Sequence, residues 1–448
     1  MFLFQIATPR CLHRKFLSIA VAKRRPGPQA GAALRGASST RQRRLMPDMS
    51  PSSGVFTKEE NHWSPLPRDP LKVLVAVDHA AGVSGPHRNV VSSLNALAAR
   101  PDVSLRLVCG TIDRNEPFAA APGIDIHTGF EPHKPAAVFS NLRILRHCAQ
   151  GVNALYCPTG LKTLLLLQPV RSGKRLVAGP NVSPLPIRKA DNPGWVELTL
   201  LCDLWLEASW AKYHHTVAYT GDKKVRRVPH ALNVQTFSPV HRDPAVWSRY
   251  GIPKDSLKVL FVGSDVPRLK GVPELLEAIE LLSLRFPGED LDFVFVGRFS
   301  EVTLARIGSI ARAHRLTFKS GIELARIYAS ADIAVIPSLW ENFPFTVLES
   351  MASGLAVVAT RIGGIPEQVV HGESGLLVDS VDEHGQFRPN TAELLAQSIA
   401  ELTHNRELRS VLASNARTRV QTRFSEELLG ARLNALLRGE EIDQTPDV

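Results

Sequence analysis

The hydrophobic pattern of this chain alternates between short apolar runs and segments with helical spacing. In the first half, runs that predict strands buried on both faces occupy residues 72–77, 105–108, 154–156 and 175–178. Between these runs, residues 89–99 and 141–149 place their apolar side chains at helical spacing. Such alternation is typical of a parallel sheet covered by helices.

A proline cluster interrupts the pattern at residues 237–256, and the alternation then starts again. Further strands are predicted at residues 257–262, 292–296, 333–336, 356–359 and 376–378, and helices at 272–286, 391–402 and 408–424. The fold class is therefore predicted to be α/β, with two Rossmann-like doubly wound domains at residues 71–240 and 255–424. Two such domains leave a cleft at the carboxyl ends of their strands, and residues 425–448 form a C-terminal helix and tail.

The net charge of +10 lies entirely in residues 1–47, which contain ten Lys or Arg and no acidic residue. The remaining chain is neutral by count, so the charge gives no reason to expect nucleic-acid binding by the folded part. Residues 1–70 are predicted to be a disordered, basic and proline-rich extension. Three interpretations stay open: a transit peptide, a basic arm for an anionic surface, and an upstream extension before a start at Met46 or Met49.

The cysteines are five, odd in number and dispersed, at Cys11, Cys109, Cys148, Cys157 and Cys202. This pattern favours a reducing compartment over a disulfide framework or a zinc site. A cytoplasmic location is expected, or an organellar one if the N-terminal segment is a transit peptide. No metal or cofactor is implied, and no apolar run reaches the length of a membrane span.

Two carboxylates, Glu341 and Glu349, lie eight residues apart where the predicted strand 333–336 passes through a loop into a helix-like segment. The backbone N–H groups at a helix start suit a phosphate group. A carboxylate beside that position suits the hydroxyl groups of a sugar or ribose. The arrangement predicts a nucleotide-sugar site, although a surface Glu followed by a helix-stabilising Glu would give the same pair.

At these residues the chain resembles family four of the retaining glycosyltransferases, the group 1 enzymes. The resemblance lies in the Glu pair, in the loop after Glu341, and in the blocks 354–367 and 371–378. It implies a B-type glycosyltransferase fold, a nucleoside-diphosphate sugar donor and retention of anomeric configuration. The last helix commonly crosses back to the first domain in that fold, as residues 425–437 could do.

The resemblance also implies roles for individual residues. Glu341 would hold a sugar hydroxyl, and Glu349 would accept the ribose hydroxyls. Lys270, which precedes Gly271 as in the family, would hold the pyrophosphate without a metal. The loop and helix start would bind the same group through backbone N–H groups. The residues concerned are Asn342, Phe343, Pro344, Phe345 and Thr346, of which Pro344 alone has no N–H.

The chain departs from the family pattern at several positions. Ser264 stands where the family has Arg, and Arg268 could supply the missing charge from the loop. Ser84 replaces one glycine of the Gly-Gly loop, in which Gly85 would approach a phosphate. The run 154–160 lacks the family's His, and the hinge block 227–239 matches only in part.

Weaker candidates are Gly179–Asn181 at a predicted strand end, His87 near the glycine loop, and Cys157, which is better interpreted as buried and structural. Residues 317–321 fall where the family contacts the base. The predicted partners are a nucleoside-diphosphate sugar and an acceptor glycan, lipid or small molecule, with peripheral membrane association left open. Alternatives are an epimerase or phosphorylase on the same fold, or a non-catalytic nucleotide-sugar binder.

Overall fold

The computed structural model describes residues 69–80, 85–112, 123–181, 199, 201–222, 224–265, 268–382 and 388–445. The extension predicted at residues 1–70 therefore lies outside the described residues, except for its last two positions. Ser84 of the predicted glycine loop also lies outside them, whereas Gly85 is described.

The first domain is built on a seven-stranded parallel sheet with the order β3-β2-β1-β4-β5-β6-β7. Its strands are β1 (Leu71–Ala76), β2 (Val103–Val108), β3 (Asp125–His127), β4 (Ala154–Thr159), β5 (Arg175–Asn181), β6 (Leu204–Glu207) and β7 (Val225–Arg227). Its helices are α1 (Gly85–Ala98), α2 (Val138–Cys148), α3 (Leu161–Leu167) and α4 (Trp210–Thr220). Two short strands, His79–Ala80 and Thr111–Ile112, pair beside the carboxyl end of β1.

The second domain repeats this plan with six parallel strands in the order β10-β9-β8-β11-β12-β13. The strands are β8 (Leu257–Ser264), β9 (Leu291–Arg298), β10 (Ala313–Leu316), β11 (Ile333–Ile336), β12 (Ala356–Thr360) and β13 (Leu376–Val378). The helices are α5 (Val272–Arg285), α6 (Glu301–Ser309), α7 (Gly321–Ser330), α8 (Phe345–Ala352), α9 (Ile365–Gln368), α10 (Thr391–His404) and α11 (Arg406–Arg423). The predicted α/β class with two doubly wound sheets is confirmed.

Both faces of each sheet are covered, which explains why the central strands are almost continuously apolar. Along β1, Val73 and Val75 belong to one buried cluster, and Leu74 and Ala76 to another on the opposite face. This is the alternation that a strand imposes on successive side chains. The strand order reverses between β1 and β4, and again between β8 and β11. Ligands of doubly wound sheets bind at the carboxyl ends of the strands flanking such a reversal.

The last helix, α12 (Glu426–Arg438), packs on the first domain rather than on the second. Leu429 and Leu433 are buried in the core of the first domain, against α1. The two helices approach closely at Gly430, where an added Cβ would lie 2.4 Å from the carbonyl oxygen of Ala96. A glycine is therefore required at this crossing.

The proline-rich connection between the domains packs into the second domain. Phe237 and Trp247 are both buried in the core cluster of that domain. The indole N–H of Trp247 donates a hydrogen bond of 3.1 Å to the carbonyl oxygen of Ser330, at the end of α7. The connection is therefore held in a defined course by apolar and polar contacts.

Candidate functional site

The loop between β11 and α8, residues 337–344, lies at the reversal point of the second sheet. The strand β11 is buried and ends at Ile336, and α8 begins at Phe345 after Pro344. Pro344 gives the helix no side-chain cap, so the backbone N–H groups of its first turn are not used by a capping side chain. As predicted from the sequence, Glu341 lies in the loop and Glu349 in the helix.

Lys270 and Glu341 are brought together across this loop. The Nζ atom of Lys270 lies 2.5 Å from Oε1 of Glu341, and the Oγ hydroxyl of Ser338 donates a hydrogen bond of 2.9 Å to the same oxygen. Glu341 is buried, whereas Lys270 keeps part of its side chain accessible. The ammonium group of Lys270 is thus fixed by one carboxylate and still open to an anion.

Gly271 explains how Lys270 is held so close to the loop. Its φ is +69°, in the left-handed region, and an added Cβ would lie 1.8 Å from the carbonyl oxygen of Pro337. Only glycine can follow Lys270 at this distance from the loop backbone. The Lys-Gly pair identified in the sequence is therefore a packing unit of the loop.

The opposite side of the loop rests on Gly363 and Gly364. A Cβ at Gly363 would lie 1.8 Å from the carbonyl oxygen of Glu341, and one at Gly364 would lie 2.2 Å from that of Asn342. The amide of Gly364 donates a hydrogen bond of 2.8 Å to the carbonyl oxygen of Asn342. This contact explains physically why the block 354–367 belongs to the same motif as the loop.

Glu349 is fully buried, and both of its carboxylate oxygens are engaged. Arg88 of α1 forms an ion pair with Oε1, and the hydroxyl of Tyr328 donates a hydrogen bond of 3.0 Å to Oε2. Arg88 therefore reaches from the first domain into the second. We did not identify Arg88 from the sequence, although its place three residues after Gly85 was the available signal.

Two side chains of the first domain donate hydrogen bonds to the loop between β11 and α8. The Oγ hydroxyl of Ser209, the N-cap of α4, donates a hydrogen bond of 2.8 Å to the side-chain carbonyl of Asn342. His230 donates from Nδ1 to the carbonyl oxygen of Phe343 over 2.9 Å. Burial lowers the pKa of His230 to about 4, so its ring is neutral at neutral pH.

A buried ion pair joins the two domains beside the loop. Nε of Arg227, at the end of β7, lies 2.8 Å from Oε2 of Glu367 in α9. The other carboxylate oxygen of Glu367 accepts a hydrogen bond of 2.6 Å from the backbone amide of Trp210, at the start of α4. This pair joins the end of β7 and the start of α4 in the first domain to α9 in the second.

The remaining predicted site residues are spread around the cleft. Ser264 ends β8, next to the reversal point. Arg268 pairs with Glu274 instead of with the loop: its guanidinium lies 2.9 Å from the Glu274 carboxylate, and its side chain is 66% exposed. Gly85 begins α1, and an added Cβ there would have no heavy atom within 4 Å. Thr346 lies in the first turn of α8, next to the buried Phe345.

The weaker candidates of the first domain have structural contacts. Cys157 is buried, its thiol points towards the carbonyl oxygen of Thr159, and burial raises its pKa, so it is no activated nucleophile. Asn181 ends β5 at the cleft edge. His87 in α1 lies against His79, and burial lowers its pKa.

Within the described part of the chain, no cluster of three or more His, Cys, Asp or Glu side chains could hold a metal ion. No helix among the described residues is both long and apolar enough to cross a membrane. Among the described residues, the cysteines Cys109, Cys148, Cys157 and Cys202 are all buried, and none of them forms a disulfide.

The chain is similar in sequence to glycosyltransferases. Residues 256–405 match the family described as glycosyl transferases group 1. A protein of Pseudarthrobacter chlorophenolicus named D-inositol 3-phosphate glycosyltransferase is 32% identical over 40% of this chain and 43% of that protein. The protein of the same name from Corynebacterium glutamicum is 31% identical over 50% of this chain and 53% of its own length. The chain therefore spans about half the length of these curated relatives.

Solved structures share the whole two-domain fold. A glycosyltransferase from Rickettsia africae superimposes with a TM-score of 0.65 and 18% identity, over 82% of this chain and 98% of that chain. Anabaena HepE, solved in complex with UDP, gives a TM-score of 0.62 with 18% identity, over 82% and 100% of the two chains. At these identities the likeness establishes the fold. In sequence, residues 256–405 of the chain match the family of group 1 glycosyltransferases.

Proposed function

We propose that this protein transfers a sugar, with retention of anomeric configuration, from a nucleoside-diphosphate sugar to an acceptor hydroxyl group. The observation that carries the proposal is the loop before α8. It brings Glu341 and Lys270 to the uncapped start of a helix at a sheet reversal point, the position where doubly wound folds bind their ligands. The match of residues 256–405 to the group 1 glycosyltransferase family supports it independently.

Lys270 and the first N–H groups of α8 would hold the donor pyrophosphate. Negative charge grows on this group as the bond to the sugar breaks, and preorganised cations and N–H groups stabilise such charge. Arg268 would have to turn from Glu274 to take part. In this proposal the reaction needs no metal ion.

Glu341 would bind a hydroxyl of the transferred sugar. Lys270 and Ser338 both donate to its Oε1, and no recorded hydrogen bond among the described residues goes to its Oε2. Glu349 would accept the ribose hydroxyls. Because Glu349 is fully buried beside Arg88 and Tyr328, one of these two side chains must move before a ribose can reach its oxygens.

In the proposed chemistry the bond between the anomeric carbon and the phosphate oxygen breaks, and the acceptor oxygen bonds to the same face of the sugar. The leaving phosphate takes the acceptor proton. No side chain is assigned as a nucleophile, and Cys157 is excluded from that role by its burial.

The decisive experiment measures release of nucleoside diphosphate from UDP-, GDP- and ADP-sugars, with and without acceptor. Inositol 3-phosphate belongs in the acceptor panel because two relatives carry it in their names. Proton NMR of the product then reads its anomeric configuration. Release that depends on acceptor, with a retained anomer, supports the proposal. Conversion of the donor sugar without any acceptor would indicate an epimerase, and an inverted product would refute the retaining mechanism.

A cytoplasmic location is part of this proposal. It is supported by the four cysteines of the described residues, none of which forms a disulfide, as suits a reducing compartment. Cell fractionation with an antibody against the folded domains tests it, and recovery in an organellar or membrane fraction would contradict it.

A further inference from the structure

The proposed donor site is short of one positive charge on the second domain. Lys270 supplies one cation, but the position at which the family carries Arg is occupied by Ser264. Arg268 is directed towards Glu274 at the protein surface. A donor pyrophosphate carries more than one negative charge, so a single Lys leaves part of it uncompensated in the cleft.

Arg88 is a cation of the first domain that reaches the same site. It lies in the first turn of α1, three residues after Gly85, and its side chain is only 12% exposed. Its guanidinium pairs with Glu349, the residue proposed to bind the ribose. In a nucleoside diphosphate the ribose is bonded directly to the first phosphate. A guanidinium held at the ribose position is thus one sugar ring away from the phosphates.

Donor binding requires an exchange of partners at this point. Ribose hydroxyls can replace Arg88 as hydrogen-bond donors to Oε1 of Glu349, while the hydroxyl of Tyr328 continues to donate to Oε2. A largely buried guanidinium that loses its anion is costly unless another anion replaces it. The donor itself brings that anion, because its phosphates enter together with its ribose.

On this basis, and resting on the proposed function, we propose that Arg88 is the second cation of the donor diphosphate site, exchanging Glu349 for the phosphates when the nucleotide binds. The residue is then a binding group contributed by the first domain, which couples donor binding to contact between the domains. Arginine suits the role because its planar fork binds a carboxylate and a phosphate equally well.

The test compares the affinities of a nucleoside diphosphate and of its nucleoside by isothermal titration calorimetry. The base is chosen from UDP, GDP and ADP as the one that the full-length wild-type protein binds. The readout is the ratio of the nucleoside Kd to the diphosphate Kd. This ratio isolates the contribution of the phosphates and cancels losses shared by both ligands.

R88Q is expected to lower this ratio about tenfold to a hundredfold, the worth of hydrogen bonds to a charged group. E349Q is expected to raise it, because Arg88 is released from the charged carboxylate and is free for the phosphates, whereas the weaker hydrogen bond to ribose affects both ligands alike and cancels. R227Q is the matched control: it breaks a buried ion pair between the same domains, with Glu367, and should leave the ratio unchanged.

Each other outcome contradicts the inference. If R88Q bound both ligands more tightly by the same factor, Arg88 would only compete with the ribose. If R88Q and E349Q shifted the ratio in the same direction, or R227Q shifted it as much as R88Q, the pair would be purely structural. In these cases the proposed function still stands. If wild type bound none of the three nucleoside diphosphates, the proposed function and this inference would both fail.

Discussion

The imidazole ring of His230 lies flat against the phenyl ring of Phe345, with 4.9 Å between the ring centroids and 15° between the ring planes. His230 lies three residues after the end of β7, the last strand of the first domain, and Phe345 is the first residue of α8 in the second. The first domain therefore contacts the start of α8 through this ring stack and through the hydrogen bond from His230 to the carbonyl oxygen of Phe343.

The burial of His230 predicts a loss of stability in mild acid. The unfolded chain protonates this His below its ordinary pKa of 6.5, whereas the folded protein protonates it only near 4. The free energy of unfolding should therefore fall as the pH decreases from about 6.5 to about 4, by roughly 3 kcal/mol in total from this residue. Urea unfolding at a series of pH values measures it.

A matched variant isolates this contribution from other titrating groups. His230→Gln retains a polar side chain but cannot titrate in this range, so its unfolding free energy should depend less on pH between 6.5 and 4.5. Equal slopes for the variant and for wild type would show that protonation of His230 does not determine acid stability.

Gly271→Ala should be far more damaging than an alanine at another glycine of the same conformation. Gly251 has a φ of +68°, against +69° for Gly271, but an added Cβ at Gly251 has no neighbour within 4 Å. Gly251→Ala should cost about 1–2 kcal/mol for its left-handed backbone. Gly271→Ala should cost at least about 2 kcal/mol more, because the loop backbone at Pro337 must shift.

Urea unfolding of both variants, together with donor affinity, measures this difference. Donor affinity should fall in Gly271→Ala and stay unchanged in Gly251→Ala, since only the first displaces Lys270 and the loop. Comparable losses in the two variants would show that the contact with Pro337 does not position the site.

Lys270 and Glu349 should affect different kinetic constants. Lys270→Ala removes a cation whose interaction grows towards the transition state, so kcat should fall about a hundredfold or more. Glu349→Gln weakens a hydrogen bond to ribose that is similar in the ground and transition states, so the donor KM should rise about tenfold with kcat less affected. Steady-state kinetics with one donor measures both. A near-normal kcat and kcat/KM for Lys270→Ala would place the pyrophosphate elsewhere, with Arg268 and Arg88 as the next candidates.

Transfer should survive removal of metal ions. Charge stabilisation is assigned to Lys270 and to the N–H groups of α8, without a carboxylate-bound metal. Activity measured after dialysis against EDTA should equal that of the untreated protein. Activity that disappears on chelation and returns with magnesium or manganese would refute this assignment.

The parts of the fold that could be predicted are those in which burial leaves a local pattern. The strands at 257–262 and 333–336 were predicted because helices cover both faces of the sheet and force an apolar run. The strand β6 was missed because its apolar run is only Leu204–Leu206, between Asp203 and the final strand residue Glu207. That carboxylate is buried and accepts hydrogen bonds from Trp205 Nε1 at 2.8 Å and from Thr216 Oγ1 at 2.7 Å. Only the folded structure supplies these partners.

The residues of the candidate site also fall into those that a local pattern predicts and those that it does not. Glu341, Glu349 and Lys270 could be proposed from the sequence because each lies in a short motif whose spacing follows from one strand, loop and helix. Arg88 meets Glu349 across 261 residues of chain and between two domains. The local sequence pattern gives no sign of such a pairing, since the pairing depends on how the two domains face each other. The outward contact of Arg268 with Glu274 was hidden for the same kind of reason, because a side-chain direction in a loop leaves no pattern.

Because α12 packs on the first domain, the core of that domain can be completed only after the whole second domain has been translated. Leu429 and Leu433 complete a core whose members in the sheet and in α1 were translated long before them. While the ribosome still makes the second domain, the surface of α1 around Ala96 has no covering helix and stays exposed to water and to chaperones. The second domain can therefore mature first, although it is made later. A gene fragment that ends before residue 426 should yield a first domain that aggregates.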